Sequence, residues 1–252
     1  MSRPPTGRRV VVTGLGCVSP IGVTAETTWT AAVAGRSGIR AIQRFDASRF
    51  PVRIAAESPD DFDLGDLPTK EARKLDRFVL FALAAAREAL RQADLAPEGE
   101  AAERAGVAIG SGIGGLETLS NSIKVINDVG PRRVSPFTIP MSICNMASGY
   151  VAIRHGLRGP NLCQTGACAS AAHSIGEAAR VIERGDADVM LAGGSEAPIT
   201  EIGVAGFANM RALSTRNEAP IAASRPFESW DRRSARRSTR SSRRCRTRPA
   251  GS

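Results

Sequence analysis

Apolar residues recur along this chain with two different periods, and the period predicts the elements. Between Thr24 and Ala34 the spacing is helical, with Trp29 and Val33 available for one apolar face. Thr69 to Ala93 is the longest helical pattern: Leu75, Phe78, Ala82, Ala85, Ala86 and Ala89 form its stripe. Thr69 is placed to cap that helix after Pro68, with Glu71 in the first turn. Pro140 to His155 repeats the pattern through Met141, Cys144, Ala147, Ser148, Val151 and Ala152, and stops at Gly156. From Ala169 it returns through Ala172, Ile175, Gly176, Ala179 and Ile182 and ends at Gly185. Short continuous apolar runs predict strands around Val10-Val11-Val12, over Ala105–Ser111, Leu162–Thr165 and Val189–Ala192. The stretch from Arg36 to Pro68 is irregular, with a strand expected only at Val52–Glu57, and Ile202–Leu213 is the last patterned element.

The stretch Gly159–Ser195 therefore reads as strand, sharp turn, helix, strand, and Cys168 falls where the helix begins, in the small-residue knot Gly166-Ala167-Cys168-Ala169-Ser170. The first N–H groups of a helix lack internal partners and carry partial positive charge. A thiolate there is favoured, and small neighbours let a carbonyl approach both the sulfur and the N–H donors an oxyanion needs. On spacing alone, Cys168 reads equally well as one more small apolar residue in a tight turn. His173 lies about 140° around the helix from Cys168 at ~100° per residue, so it is expected to be structural. His155 follows Arg154 in the last turn of its helix, where cations are favourable. Gly14-Leu15-Gly16 follows an apolar run, but Ser19 stands where a dinucleotide loop needs its third glycine, which discounts a nicotinamide site.

Composition changes this picture little until the end of the chain. The length, 252 residues, suits one domain, and no apolar run reaches the roughly 18 residues of a membrane span. The start, MSRPPTGRR, has no signal-peptide core, so the cytoplasm is the default expectation. The cysteines (Cys17, Cys144, Cys163, Cys168 and Cys245) show no metal-binding spacing, so no metal is expected. The net charge of +9 is concentrated: Ser229–Ser252 carries nine arginines and a single acid, Asp231, which leaves the rest of the chain near neutral. The basic balance is thus a property of the tail, and the tail lacks the interleaved aromatics of a nucleic-acid binder.

Several long blocks resemble one family: RRVVVTGLGCVSPIG from Arg8, AIGSGIGG at 108–115, PRRVSPFTIP at 131–140, the Cys168 knot, GDADVMLAGGSE at 185–196 and GVAGFANMRALSTRN at 203–217. They are similar to the β-ketoacyl-acyl carrier protein synthases, especially the 3-oxoacyl-[acyl-carrier-protein] synthase II group of the thiolase-like superfamily. The resemblance implies a layered α/β fold, of which this chain matches the N-terminal half of a duplicated architecture, with a domain over 1–228. It implies that Cys168 accepts the acyl chain as a thioester, that Ile113 and Phe207 lie near the acyl pocket, and that Glu196 is structural near the site. It further implies that Lys70, Arg73, Lys74, Arg132, Arg133 and Arg211 lie where an acidic acyl carrier protein docks. For the lysines and arginines near 70–77 the plain alternative is a solvated face.

The same resemblance implies fatty acid or polyketide chain extension from acyl and malonyl thioesters, without a cofactor, in a homodimer. Gly166 departs from the family, which has threonine or serine there; a small change in turn stiffness is expected. After Phe227 the pattern breaks. The histidines, lysine and phenylalanine-containing loop that the family's second half supplies match nothing in this chain, and residues 229–252 are expected to be a disordered, out-of-frame reading. Condensation by this chain alone is therefore not expected. A non-catalytic subunit of the chain-length-factor type, or an inactive fragment, is the alternative; the retained cysteine favours the enzyme lineage.

Overall fold

The computed structural model describes residues 7–226; Phe227 and the arginine-rich tail at 229–252 lie outside the described residues. In chain order the elements are α1 (Ala25–Val33), β1 (Ile39–Ala41), β2 (Ile54–Ala56), α2 (Thr69–Ala72), α3 (Arg77–Gln92), α4 (Gly99–Glu103), β3 (Ala105–Gly110), α5 (Leu116–Val129), α6 (Thr138–Ser142), α7 (Met146–His155), β4 (Asn161–Leu162), α8 (Ser170–Arg184), β5 (Val189–Gly194) and α9 (Glu201–Asn209).

The centre is a parallel sheet in the order β4-β3-β5, with β3 and β5 in register from Ala105↔Val189 to Gly110↔Gly194. Every residue of β3 is buried, as a parallel strand covered on both faces requires. Strand alternation sends its two residue sets to different helices. Ala105, Val107 and Ile109 join Phe78, Val79, Ala82 and Ala86 of α3 and Ala147 and Val151 of α7 in the main core. Gly106, Ala108 and Gly110 face the other way, and a Cβ at Gly110 would stand 2.7 Å from Ser174 Oγ of α8. Burying a side chain such as Phe78, which is wholly inaccessible, contributes about 2–3 kcal/mol. A smaller antiparallel pair, β1 with β2, packs Val52 and Ile54 against Val204 of α9.

Several expectations are corrected. The long helix from Thr69 is two helices: Asp76 caps α3 by accepting from Phe78 N–H, and its other oxygen accepts from the Thr118 N–H and hydroxyl, so the backbone restarts there. Leu75 remains buried across the break, which is why the stripe reads as continuous. The helix expected over 140–155 is likewise interrupted, because Ile143 is extended between α6 and α7. Val10–Val12 forms no strand; Val11 and Val12 are exposed, and no strand among the described residues pairs with them. Trp29 and Val33 are also exposed, and α1 buries only Ala31. In α8 the buried positions are Ser170, Ser174, Ala178 and Val181, whereas Ala172, Ile175 and Gly176 face outward. Glycines on the sheet admit the helix so closely that only small side chains fit between. Strand β5 is half-buried because β3 lies on one side of it only. Helix α5, with Leu119, Ile123 and Ile126 exposed at helical spacing, has no counterpart among the elements expected from the pattern.

Candidate active site

The site grows from the carboxyl ends of β3 and β5, the edge at which ligands bind in open α/β sheets. After β4 the chain turns sharply at Gly166–Ala169. Ala167 has φ +49°, a left-handed backbone that costs an L-residue about 1–2 kcal/mol. Hydrogen bonds hold it there: Ala169 N–H donates to Gly166 O at 3.0 Å and Ser170 N–H to Ala167 O at 3.1 Å. The Ser170 hydroxyl accepts from Gly166 N–H at 2.9 Å and donates to Ala167 O at 2.7 Å. Cys168 is exposed in this turn, two residues before the first helical residue of α8 rather than inside the helix. No side chain caps α8.

A second loop, Ser111–Gly114, leaves β3 and lies against this turn. A Cβ at Gly112 would stand 3.3 Å from Ala167 Cα and 3.0 Å from Glu196 Oε2. Glu196, just past β5, ties that loop down: it accepts from the Ser111 hydroxyl at 3.1 Å, Gly112 N–H at 2.6 Å and Ile113 N–H at 3.1 Å. The Ser111 hydroxyl also accepts from Gly114 N–H at 3.0 Å. The structure thus brings together the Cys168 turn, Ile113 and Glu196. Cys163 sits beside the same loop, and its thiol is pushed up from its ordinary value chiefly by burial. The space a side chain at 166 would fill is occupied by His173, since a Cβ there would stand 2.6 Å from its Nδ1. The glycine departure is therefore a packing feature. Phe207, partly exposed, lies on α9, whose Gly203 meets Leu116 at the start of α5.

The basic residues divide. Arg73, Lys74 and Arg133 line one groove of about 600 Å³, and Lys74 Nζ lies 4.8 Å from the centroid of the Phe137 ring. Lys70, Arg132 and Arg211 are exposed but do not line it. Arg44 and Arg77 also line the groove, each in an ion pair, Arg44 with Glu117 and Arg77 with Asp60; Arg77 belongs to the basic cluster near 70–77, whereas Arg44 escaped the sequence because the segment after β1 meets α5 only in three dimensions. Asp76 forms part of the wall; burial raises its pKa, and hydrogen bonds from Thr118 and Phe78 oppose the shift. Among the described residues no cluster of histidine, cysteine and carboxylate side chains has the geometry to hold a metal ion. Among the described residues no helix is long and apolar enough to cross a membrane.

A parallel sheet flanked by helices, with a cysteine turn at its carboxyl edge, defines the class: a thiolase-like α/β protein. The chain belongs to the β-ketoacyl synthase family, for the profile of the "Beta-ketoacyl synthase, N-terminal domain" matches residues 7–231. It is 50% identical over 225 residues to 3-oxoacyl-[acyl-carrier-protein] synthase 2 of Coxiella burnetii and 48% identical over 226 residues to that of Vibrio cholerae. Each alignment covers 89% of this chain and 54% of the relative, so the chain spans about half the length of the curated relatives it matches. Among solved structures, a β-ketoacyl synthase from Burkholderia phymatum superposes with a TM-score of 0.77 at 31% identity, covering 87% of this chain and 54% of that one. A type II polyketide ketosynthase solved with its acyl carrier protein superposes at 0.71 and 28% identity, covering 84% of this chain and 50% of that one.

Proposed function

We propose that this chain carries the acyl-accepting part of a 3-oxoacyl-[acyl-carrier-protein] synthase of fatty acid or polyketide synthesis. The observation that carries the reading is the exposed Cys168, held in a hydrogen-bonded turn at the sheet's carboxyl edge beside a loop that Glu196 pins. In this reading the Cys168 thiolate adds to the carbonyl of a carrier-bound acyl thioester. The charge gathers on the carbonyl oxygen, where the backbone N–H of Cys168 stabilises it. The C–S bond to the carrier then breaks, the carrier sulfur leaves as a thiolate that takes up a proton, and the acyl group stays on Cys168. Glu196 acts as a positioning residue, because its carboxylate fixes the loop that carries Ile113. Ile113 and Phe207 meet the acyl chain. Lys70, Arg73, Lys74, Arg132, Arg133 and Arg211 attract an acidic carrier protein over long range.

Chain extension requires a malonyl thioester to lose CO2 and its carbanion to attack the loaded thioester. By resemblance that step rests on two histidines and a lysine that neither His155 nor His173 matches. The 252 residues alone are therefore expected to load an acyl group without extending it. Incubation with acyl-carrier protein followed by peptide mass spectrometry tests this. The acyl mass should appear on the Cys168 peptide and vanish in Cys168→Ala; label that persists in the variant sinks the assignment. Reversing charge in Arg73→Glu/Lys74→Glu should slow loading from the carrier by about tenfold or more at low salt, while loading from a small neutral thioester stays unchanged.

A further inference from the structure

Away from the cysteine turn, a second hollow of about 550 Å³ lies between the C-terminal ends of α3 and α7 and the segment leading into α4. Small-molecule sites run to roughly 300–1,000 Å³. The floor is apolar: Leu90 and Ala102 are buried, with Leu95 and Pro97 beside them. The rim is cationic, formed by Arg87, Arg91, Arg158 and the imidazole of His155, against one lining carboxylate, Glu98. Ion pairing consumes little of that charge. Arg87 gives its Nε to Asp63 at 3.0 Å, while Arg91 and Arg158 close no salt bridge among the described residues. Cations near helix C-termini are favourable by themselves, which accounts for Arg91 and His155 one at a time. It does not account for their convergence with Arg158, from the loop after α7, over an apolar floor.

We propose that this hollow binds a small organic phosphate, its dianionic head between Arg91, Arg158 and His155 and its apolar body on Leu90 and Leu95. The charge matches: Asp63 offsets Arg87, and the guanidinium groups of Arg91 and Arg158 face a dianion. His155 supplies a second signature. Burial holds the imidazole below its ordinary pKa, Arg154 and Arg87 add repulsion, and Asp66, which pairs with Arg154, opposes them. Arg91, Arg158 and Glu98 act on it from the rim of the same hollow. A bound dianion outweighs the cationic field, so the imidazole takes up a proton as the ligand enters.

Calorimetric titration of the 252-residue chain with hexyl phosphate, inorganic phosphate and hexanol, at about pH 6.5 near the ordinary histidine value, tests the proposal. In buffers of different ionisation heat, hexyl phosphate should saturate one site, with proton uptake by the imidazole measured over the proton that the ligand's monoanionic fraction gives up. Inorganic phosphate should bind about tenfold more weakly for want of the apolar body, and hexanol should not bind measurably. Arg91→Ala/Arg158→Ala, both exposed positions, should weaken hexyl phosphate by about tenfold or more, and His155→Gln should abolish the proton uptake. The arginines of 229–252 also attract phosphate, so binding that survives unchanged in the double variant belongs to them and overturns the site. Failure of hexyl phosphate to saturate the unaltered chain, or hexanol binding as tightly, overturns it without any variant.

Discussion

On one face of the central sheet, α3 and α7 press Phe78, Val79 and Val151 onto Ala105, Val107 and Ile109, and Ile153 is the one large apolar residue of these two helices left exposed. On the other face the buried positions of α8 are Ser170, Ser174, Ala178 and Val181, and Ile175, 54% exposed, turns to the outside. The two helical layers differ in what their hydrophobic residues are for. The first layer spends most of its apolar stripe on the sheet. The second divides its apolar residues, with Ala178 and Val181 buried and Ala172 and Ile175 on the side away from the sheet. Helix α5, with Leu119, Ile123 and Ile126 exposed, likewise turns apolar residues outward. The Cys168 turn lies at the head of α8, so the candidate chemistry belongs to the less covered layer.

The sharpest way to break this contrast is truncation on each side. Phe78→Ala should destabilise the chain by about 3–5 kcal/mol through lost burial and a residual cavity. Ile175→Ala should shift the urea midpoint by no more than about 0.5 kcal/mol equivalent, and Ile175→Lys should lower apolar-dye binding. Equal losses at Phe78 and Ile175 would show that α8's outer stripe is already packed in solution. An intermediate effect is expected where the two faces meet. Glu196→Gln removes the charged acceptor of Gly112 and Ile113 and should cost about 1–3 kcal/mol. It should also change the alkylation rate of Cys168 relative to Cys163; an unchanged ratio would mean that the loop does not shape the turn.

The smallest effect lies on the covered side. His155 has a lowered pKa, so the unfolded chain binds its proton more readily than the folded one. Its contribution is fully present above the ordinary histidine value near 6.5 and is lost as pH falls through the folded pKa. Thermal melts in that window should show the unaltered chain losing stability relative to His155→Gln on acidification. Parallel curves would place the imidazole in water.

Much of this was legible in residue order. The buried strand β3, the stop of α7 at Gly156 and of α8 at Gly185, and the placement of a cysteine between β4 and α8 follow from local chemistry: apolar runs, left-handed glycines and turn residues. The break at Asp76 was not legible, because the carboxylate caps α3 while binding Thr118, a partner 42 residues away. Nor was the burial sense of α8. Periodicity shows that a helix has an apolar stripe, but not whether the stripe meets the chain's own sheet. That depended on Gly110 and Gly194 leaving room for close approach, after which the serine side fitted and the isoleucine side did not. The sequence by itself determined the family, the central strand, the helix ends and the cysteine turn, since each is written in neighbouring residues. Only the tertiary structure decided that Glu196 holds the loop beside the cysteine, that Arg44 joins the basic groove, and that Arg91, Arg158 and His155 surround one hollow. These groups lie far apart in the chain, and their meeting is set by how the helices pack on the sheet.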